Sequence, residues 1–297
     1  RIKAGDMALF QSVDGGDEIY PDGPSVDLAV DLLNQMTPSD ASPFFLAVGL
    51  LRPHLPLGAP ADYYRRYRDL ALPPVEHPEK PSGRTTWHGS GEFMKYQRWG
   101  KDPNKDPSFA LEVRRHYAAC VSFADAQVGR LLAALEKNGL VDDTIVLLWG
   151  DHGWHLGEYG IWGKHALFEE SLRSPLIIAH SSLPRQGEAT HSMVETLDVF
   201  PTLCGLAGLP LPAGLHGRSL EPQLKDPHHE GHSSFAYAGK AQTMRSKTHR
   251  LIRHQDGYVE LYDHRSAAGE TQNVASEQMS VVAAMTLELE SRLKLKR

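Results

Sequence analysis

The residues best suited to do chemistry follow an apolar run directly. Asp151 and His152 come after the run at 144–149, and three glycines lie in and around the pair. Polar residues that end a buried strand lie at the carboxyl edge of a sheet, where open α/β folds bind ligands. Carboxylate oxygen and imidazole nitrogen are both metal-ligand atoms. The pair predicts a metal or ligand site, and the alternative is a helix cap beside a histidine with structural partners.

Two further side chains could converge on this pair. His54 lies just past the apolar run at 44–51, and Lys164 lies in the stretch 160–165. A metal, an ammonium group and an imidazole together suit an anionic oxyester. The two cations neutralise charge on nonbridging oxygens, and the imidazole can protonate a leaving alkoxide. Taken singly, His54 is typical of a loop histidine and Lys164 of a solvated lysine.

The pattern of elements around these residues predicts an α/β fold, because helices alternate with apolar strands. The runs at 44–51, 144–149 and 176–179 are typical of strands covered on both faces. Helices are predicted at about 24–36, 61–68, 108–138, 167–172 and 198–208. Residues 72–107 show no periodicity and predict a long loop.

The pattern changes after Lys225, which divides the chain into a larger part, 1–225, and a small part, 226–297. Four short alternating segments between 234 and 262 predict a small antiparallel sheet. An amphipathic helix at about 277–293 is predicted to close the chain.

Composition excludes several classes of function. Lysine and arginine number 31 against 37 acidic residues, a net charge of −6 with no basic block, so no nucleic-acid partner is expected. No apolar stretch approaches the roughly 20 residues that span a bilayer, so no membrane span is expected. Cys120 and Cys204 have small or apolar neighbours and are interpreted as buried structural thiols.

The string 150–158 followed by 162–164 resembles the metal and sulfate site of type I sulfatases, most closely the iduronate-2-sulfatase-like branch. Further segments match that family in order along the chain: 44–49 with 52–56, 194–208, 217–220, and 244–270. The resemblance implies an alkaline-phosphatase-like α/β sandwich with a mostly parallel central sheet, incomplete at its N-terminus, plus the small C-terminal sheet and helix. It also implies hydrolysis of a sulfate ester, on a sulfated sugar or glycosaminoglycan, by a periplasmic or secreted protein.

The family's site residues carry over by position. Asp151 and His152 would be ligands of a divalent cation, usually calcium in this family. Lys164 would contact the sulfate and the ester oxygen, and His54 would contact the sulfate or protonate the leaving oxygen. Residues around the motif would contact substrate: Trp154, His155 and His165. For His155, a place beneath the site or stacking on a neighbouring tryptophan is the alternative.

One part of the family pattern is not matched. Type I sulfatases carry a Cys-x-Pro-Ser-Arg or Ser-x-Pro-x-Arg segment whose first residue becomes formylglycine, the nucleophile, and neither Cys120 nor Cys204 has that context. The resemblance therefore implies an upstream segment that holds the nucleophile and more metal ligands. Without it, we expect no turnover, exposed apolar surface and poor solubility. The alternatives are a phosphatase or phosphonate hydrolase of the same superfamily and a non-catalytic module.

Overall fold

The computed structural model describes residues 3–37 and 43–294, and the chain divides into two compact units. The first comprises Arg1–Glu76 and Ser90–Thr144, and the second comprises His77–Gly89 and Ile145–Arg297. The long loop predicted at 72–107 therefore contributes to both units. The division predicted at residue 225 stays a prediction.

The first unit is built around one long helix. Its elements are β1 (Phe10–Val13), α1 (Asp22–Leu33), β2 (Leu57–Pro60), α2 (Ala61–Arg65) and α3 (Pro107–Lys137). β1 pairs with β2 in parallel, and α3 packs against α1, α2 and β2. The core includes Leu9, Val26, Leu33, Leu57, Phe109, Val113, Cys120 and Phe123.

Helix α3 begins and ends where its sequence signals lie. The Asp106 side chain accepts a hydrogen bond from the backbone N–H of Phe109 at 3.0 Å, which caps the first turn. Gly139, with φ of 67°, follows its end. By length and composition alone α3 could cross a membrane, which differs from our expectation that no stretch is long enough. In this structure it packs against α1, α2 and β2.

The strand predicted at 44–51 is wrong for this structure. Residues 43–51 belong to no strand, and Phe45 is 86% exposed. An uninterrupted apolar run indicates burial on both faces, but a strand also requires a hydrogen-bonding neighbour. Within the described residues this segment pairs with none.

The second unit begins with the elements that carry the predicted site. These are β3 (Val146–Trp149), β4 (His155–Leu156), β5 (Trp162–Gly163), α4 (Glu169–Leu172) and β6 (Leu176–Ala179). β3 pairs antiparallel with β6, and β4 pairs antiparallel with β5. β3 and β6 were expected to be covered on both faces, yet Trp149 and Ile177 are exposed, because the two strands form only a two-stranded piece here.

The rest of the second unit matches the predicted small sheet and closing helix. After α5 (Val199–Leu206) and α6 (Glu221–Lys225) come β7 (Ser234–Ala238), β8 (Ala241–Arg245), β9 (His249–His254) and β10 (Val259–Asp263). These four strands form an antiparallel sheet in the order β10-β9-β8-β7. Helix α7 (Met279–Lys294) packs on β8 and β9, and Met285 and Leu289 join the sheet's buried core.

Candidate functional site

A two-stranded hairpin positions the residues of the motif. In the β4–β5 pair His155 lies opposite Gly163. One residue further along this register, Trp154 is opposite Lys164. The Lys164 Nζ atom lies 5.5 Å from the centre of the Trp154 ring, a distance at which the cation is attracted to the ring face. Residues that are ten apart in sequence therefore meet at the open end of the hairpin.

Asp151 and His152 lie in the loop between β3 and this hairpin. The His152 Nδ1 atom is 2.8 Å from the backbone oxygen of Gly153, so Nδ1 carries the proton and donates it there. Nε2 is then left with its lone pair, 3.5 Å from the Asp151 Oδ2 atom. Two ligand atoms at this separation can share one ion at bond lengths of about 2.0–2.5 Å. Histidines that bind metals commonly donate their other N–H to a carbonyl in this way.

The surroundings of the pair fit a cation. Asp151 is exposed, and the ring of His152 lies 6.4 Å from that of Trp154. His152 and Lys164 both lie beside Trp154, and Asp151 adjoins His152. Such a set can hold a cation on one side of an anionic group and an ammonium on the other. Ca²⁺ prefers oxygen ligands, whereas an imidazole nitrogen suits transition metals such as Zn²⁺. A carboxylate beside an imidazole therefore suits several divalent ions.

His155 lies beneath this loop, and the structure corrects our expectation that it contacts substrate. Its side chain is fully buried, and Nδ1 lies 3.1 Å from both the Gly163 backbone oxygen and the Ser171 Oγ atom. The ring packs edge-on against Tyr159 and Phe168. A substrate cannot reach such a ring. The alternative, a histidine packed beneath the site, describes it.

His155 faces the partly buried side chain of Glu170. Its Nε2 atom is 3.6 Å from the buried Glu170 Oε2 atom, and neither atom has a hydrogen-bond partner among the described residues. Burial disfavours both charged forms, so it lowers the pKa of His155 to about 4 and raises the pKa of Glu170 to about 7. Glu170 is thus held in its protonated form through most of the acidic range.

The pH dependence of stability tests this assignment of Glu170. Because its pKa is raised in the folded state, its favourable contribution is complete below the unfolded value of about 4.5 and is lost as pH rises through about 7. Between pH 6 and pH 8.5 the Tm of the parent chain should fall. Over the same interval we expect the Tm of Glu170→Gln to fall by several degrees less. Calorimetry at both pH values measures this. Glu188→Gln, at an exposed site, is the control, and equal pH slopes for parent and Glu170→Gln would refute the assignment.

His165 is exposed, as a substrate-contacting residue must be. It neighbours His88, which the sequence analysis did not identify as a site residue. The His165 ring lies 6.0 Å from the ring of His88. Burial, with a smaller effect from His165, lowers the pKa of His88, so His88 is neutral at pH 7. His88 lies in the long loop, where no motif or periodicity marks it.

His54 lies in the first unit, and its convergence with the other site residues stays a prediction. Its Nδ1 atom is 2.7 Å from the Leu55 backbone oxygen, and its Nε2 atom is 3.5 Å from the Glu92 Oε1 atom. Buried Arg52 fixes the loop by donating to the His54 backbone oxygen at 3.2 Å and to that of Pro56 at 3.1 Å. The imidazole is half-buried, and a ligand can reach it.

Apart from the Asp151–His152 pair, the described part of the chain contains a cluster of three potential metal ligands: Glu169, His264 and Glu270. Its carboxylates already accept hydrogen bonds from two guanidinium groups, those of Arg245 and Arg250. These arginines occupy the positions that a cation would take. The cluster is therefore a buried ion-pair network, and Asp151 with His152 remains the better candidate for a metal.

Comparison with known proteins places these features in a family. The family model Sulfatase matches residues 9–209, and the model N-sulphoglucosamine sulphohydrolase, C-terminal, matches residues 157–297. The chain is 31% identical to a sulfatase of Formosa agariphila over 88% of this chain and 51% of the relative. It is 35% identical to human iduronate 2-sulfatase over 65% of this chain and 40% of that protein.

Solved structures share the fold. A phosphonate monoester hydrolase of Agrobacterium radiobacter superposes with a TM-score of 0.78 at 21% identity, covering 97% of this chain and 63% of that one. A structure in complex with its substrate D-glucosamine-2-N,6-O-disulfate gives 0.77 at 20% identity, covering 93% and 70%. The fold is alkaline-phosphatase-like, as the sequence predicted. The chain spans about half the length of the curated relatives it matches.

Proposed function

This chain belongs to the sulfatase family, and from that premise we propose that it forms the downstream part of the catalytic centre of a sulfuric ester hydrolase. One observation carries the proposal: the β4–β5 hairpin and the loop before it place His152 and Lys164 beside the ring of Trp154, with Asp151 adjoining His152. The iduronate-2-sulfatase-like branch is the proposed place within the family, since the identity to human iduronate 2-sulfatase is 35%.

The proposed roles follow from the chemistry of each group. Asp151 and His152 would hold a divalent cation, and a bound cation would stabilise negative charge on the sulfate oxygens. Lys164 neutralises charge on the ester and nonbridging oxygens, and its contact with the Trp154 ring limits where the ammonium can lie. His54, on the first unit, would protonate the leaving oxygen.

A sulfated sugar is the proposed substrate class. The structure that shares this fold at a TM-score of 0.77 holds a glucosamine disulfate as its substrate. Exposed His165 and the partly exposed Trp154 ring offer a polar and an aromatic contact beside Lys164. We further propose that the formylglycine nucleophile lies outside these 297 residues, because no segment of the sequence has its motif.

Sulfate release measured by ion chromatography tests the proposal. We expect no turnover of sulfated glucosamine by the 297-residue chain supplied with Ca²⁺. A longer form that includes a formylglycine motif should release sulfate, and Lys164→Ala should lower its kcat/KM by about 10²–10³-fold. Lys247→Ala, an exposed lysine on the turn between β8 and β9, is the matched control.

Three outcomes would contradict the proposal. Turnover by the 297-residue chain would show that the nucleophile lies within it. Hydrolysis of a phosphonate monoester in preference to every sulfate ester would favour the second candidate function, which is suggested by the similar fold of a phosphonate monoester hydrolase. A longer form with no activity toward either ester would favour a non-catalytic module.

A further inference from the structure

A groove lies at one end of the C-terminal sheet, where the β7–β8 and β9–β10 turns meet. We call it the sheet-end groove. Its volume is about 750 Å³, within the range of small-molecule sites, and its walls include Tyr237, Lys240, Gln242, Arg253, His254 and Gln255. A neighbouring cavity of about 280 Å³ shares three of these residues and adds Arg84 and Asp256. The two spaces are therefore adjacent.

The ionisable side chains around the groove pair with neighbouring groups, except at one residue. Arg253 pairs with Glu290 at 2.7 Å, and Arg84 pairs with Asp256. His254 pairs with Glu260 of β10. Lys240 is exposed on the β7–β8 turn and makes no ion pair with any described residue. The groove thus presents one uncompensated ammonium group to a ligand, and that group favours an anion.

The other walls of the groove suit a sugar ring. The side chain of Tyr237 is 74% exposed, and its aromatic face can pack against the apolar C–H face of a pyranose. The amide of Gln255 is exposed and that of Gln242 is partly exposed, so both can donate to and accept from hydroxyl groups. The Gln255 N–H donates to the Lys240 backbone oxygen at 2.9 Å, which joins the two turns. An aromatic face, amides and one cation match a sulfated monosaccharide.

Segment 77–89, which belongs to the same unit, connects the groove to the candidate site. Arg84 lies at the groove through its ion pair with Asp256, and His88 lies beside His165. Four residues of chain span at most about 14 Å between the Cα atoms of 84 and 88. His165 follows Lys164 directly in sequence. The groove and the candidate site are thus bordered by the two ends of one short segment, 84–88.

We propose that the sheet-end groove binds a second sulfated sugar of the glycan whose sulfate ester lies at Lys164. The identity of this ligand rests on the proposed function. The groove's own features, an exposed aromatic ring and an uncompensated ammonium group, do not depend on the proposed function. Binding there requires no nucleophile and no cation, so it can be measured on the 297-residue chain.

Isothermal titration with a heparin tetrasaccharide tests the proposal. In a Lys164→Ala background, which weakens the candidate site, we expect binding to persist. Lys240→Ala and Tyr237→Ala should each weaken it at least 5-fold. Lys247→Ala, which removes an exposed lysine at the opposite end of the same sheet, should leave it unchanged. The desulfated tetrasaccharide should bind the Lys164→Ala chain at least 5-fold more weakly than the sulfated one.

The outcomes separate this inference from the proposed function. Affinity that is unchanged by Lys240→Ala and Tyr237→Ala, or lowered equally by Lys247→Ala, overturns the groove proposal even if the longer protein releases sulfate. Affinity lost in Lys240→Ala and Tyr237→Ala supports the groove even if no sulfatase activity is found. Loss of all binding in Lys164→Ala alone also overturns it.

Discussion

Glu270→Ala is expected to lower the free energy of unfolding by about 3–5 kcal/mol, the cost of removing one partner from a buried ion pair. Glu270 is buried, and its Oε1 atom accepts hydrogen bonds from Arg250 Nε and, at 3.0 Å, from His264 Nε2. Its Oε2 atom accepts one from the Glu169 backbone N–H at 2.7 Å. Removing the carboxylate leaves fully buried Arg250 with Glu169 as its remaining ion-pair partner.

Electrostatics within the network support the direction of this effect. Burial alone would raise the pKa of Glu270, but Arg250 and then His264 hold it below its ordinary value, so the carboxylate stays charged at neutral pH. The stabilisation is therefore present above the unfolded pKa and is lost as pH falls through the folded pKa. The deficit of Glu270→Ala should accordingly be largest at neutral pH.

Urea denaturation at pH 7 measures the difference, as a lower midpoint with an unchanged slope. The control is Glu188→Ala, whose partner Arg185 is exposed and lies 3.3 Å away. That surface pair should contribute about 0–1 kcal/mol. If Glu270→Ala and Glu188→Ala unfold at the same urea concentration, the network does not stabilise the fold.

The same network explains why the C-terminal sheet matters to the candidate site. Glu169 is the first residue of α4, and it accepts hydrogen bonds from Arg245 of β8 and Arg250 of β9. Helix α4 also contains Glu170 and Ser171, which lie beneath the loop that carries Asp151 and His152. The sheet therefore fixes the element on which that loop rests.

Elements with local signals could be predicted from the sequence. The apolar stripe and Gly139 predict helix α3 at about 108–138, and it spans Pro107–Lys137. The capping residue Asp106, just before the helix, is a further local signal that the sequence analysis did not use. The four strands of the C-terminal sheet were also found, since each alternates and is bounded by a turn. The run at 44–51 failed because its strand character depends on neighbours that sequence patterning does not reveal.

The interior of the site was harder to predict. The β4–β5 hairpin has strands of only two residues, and its turn depends on positive φ at Gly157, Tyr159 and Gly160, so no periodicity marks it. One signal was available for His155. Adjacent strand residues point to opposite faces, so Trp154 and His155 could not both face a substrate. The buried partner of His155, Glu170, comes from a helix of four residues without an amphipathic pattern.

The second large effect is expected at Gly153, where the loop that carries Asp151 and His152 rests on α4. The Gly153 N–H donates to the Ser171 backbone oxygen at 2.8 Å. A Cβ atom at this position would lie 2.0 Å from the Glu170 backbone oxygen and 2.7 Å from that of Arg173. Neither oxygen can retreat easily, because both belong to the backbone at α4. In Gly153→Ala the loop must therefore move instead.

That movement should separate the two proposed ligands, because the Gly153 backbone oxygen also orients the His152 ring at 2.8 Å. We expect Gly153→Ala to lower stability by about 1–3 kcal/mol. It should weaken divalent-cation binding by about 10–100-fold, the usual cost of disturbing groups that orient metal ligands. Titration calorimetry with Ca²⁺ and with Mn²⁺ measures the second effect. Asp151→Asn, which removes a proposed ligand without crowding α4, should weaken cation binding while leaving stability within about 0.5 kcal/mol of the parent.

Gly89→Ala is the matched control, since the nearest atom to its Cβ would be Trp87 Cη2 at 3.9 Å, an ordinary contact. Both glycines belong to the second unit, so a general intolerance of alanine would affect the two variants alike. Unchanged stability and cation affinity in Gly153→Ala would mean that α4 does not fix the loop. A loss of stability with unchanged cation affinity would mean that Asp151 and His152 do not form the cation site. If these two residues hold a cation and the Gly153 contact positions them, Gly153→Ala must lose both stability and cation affinity. Asp151→Asn must then lose cation affinity while keeping its stability.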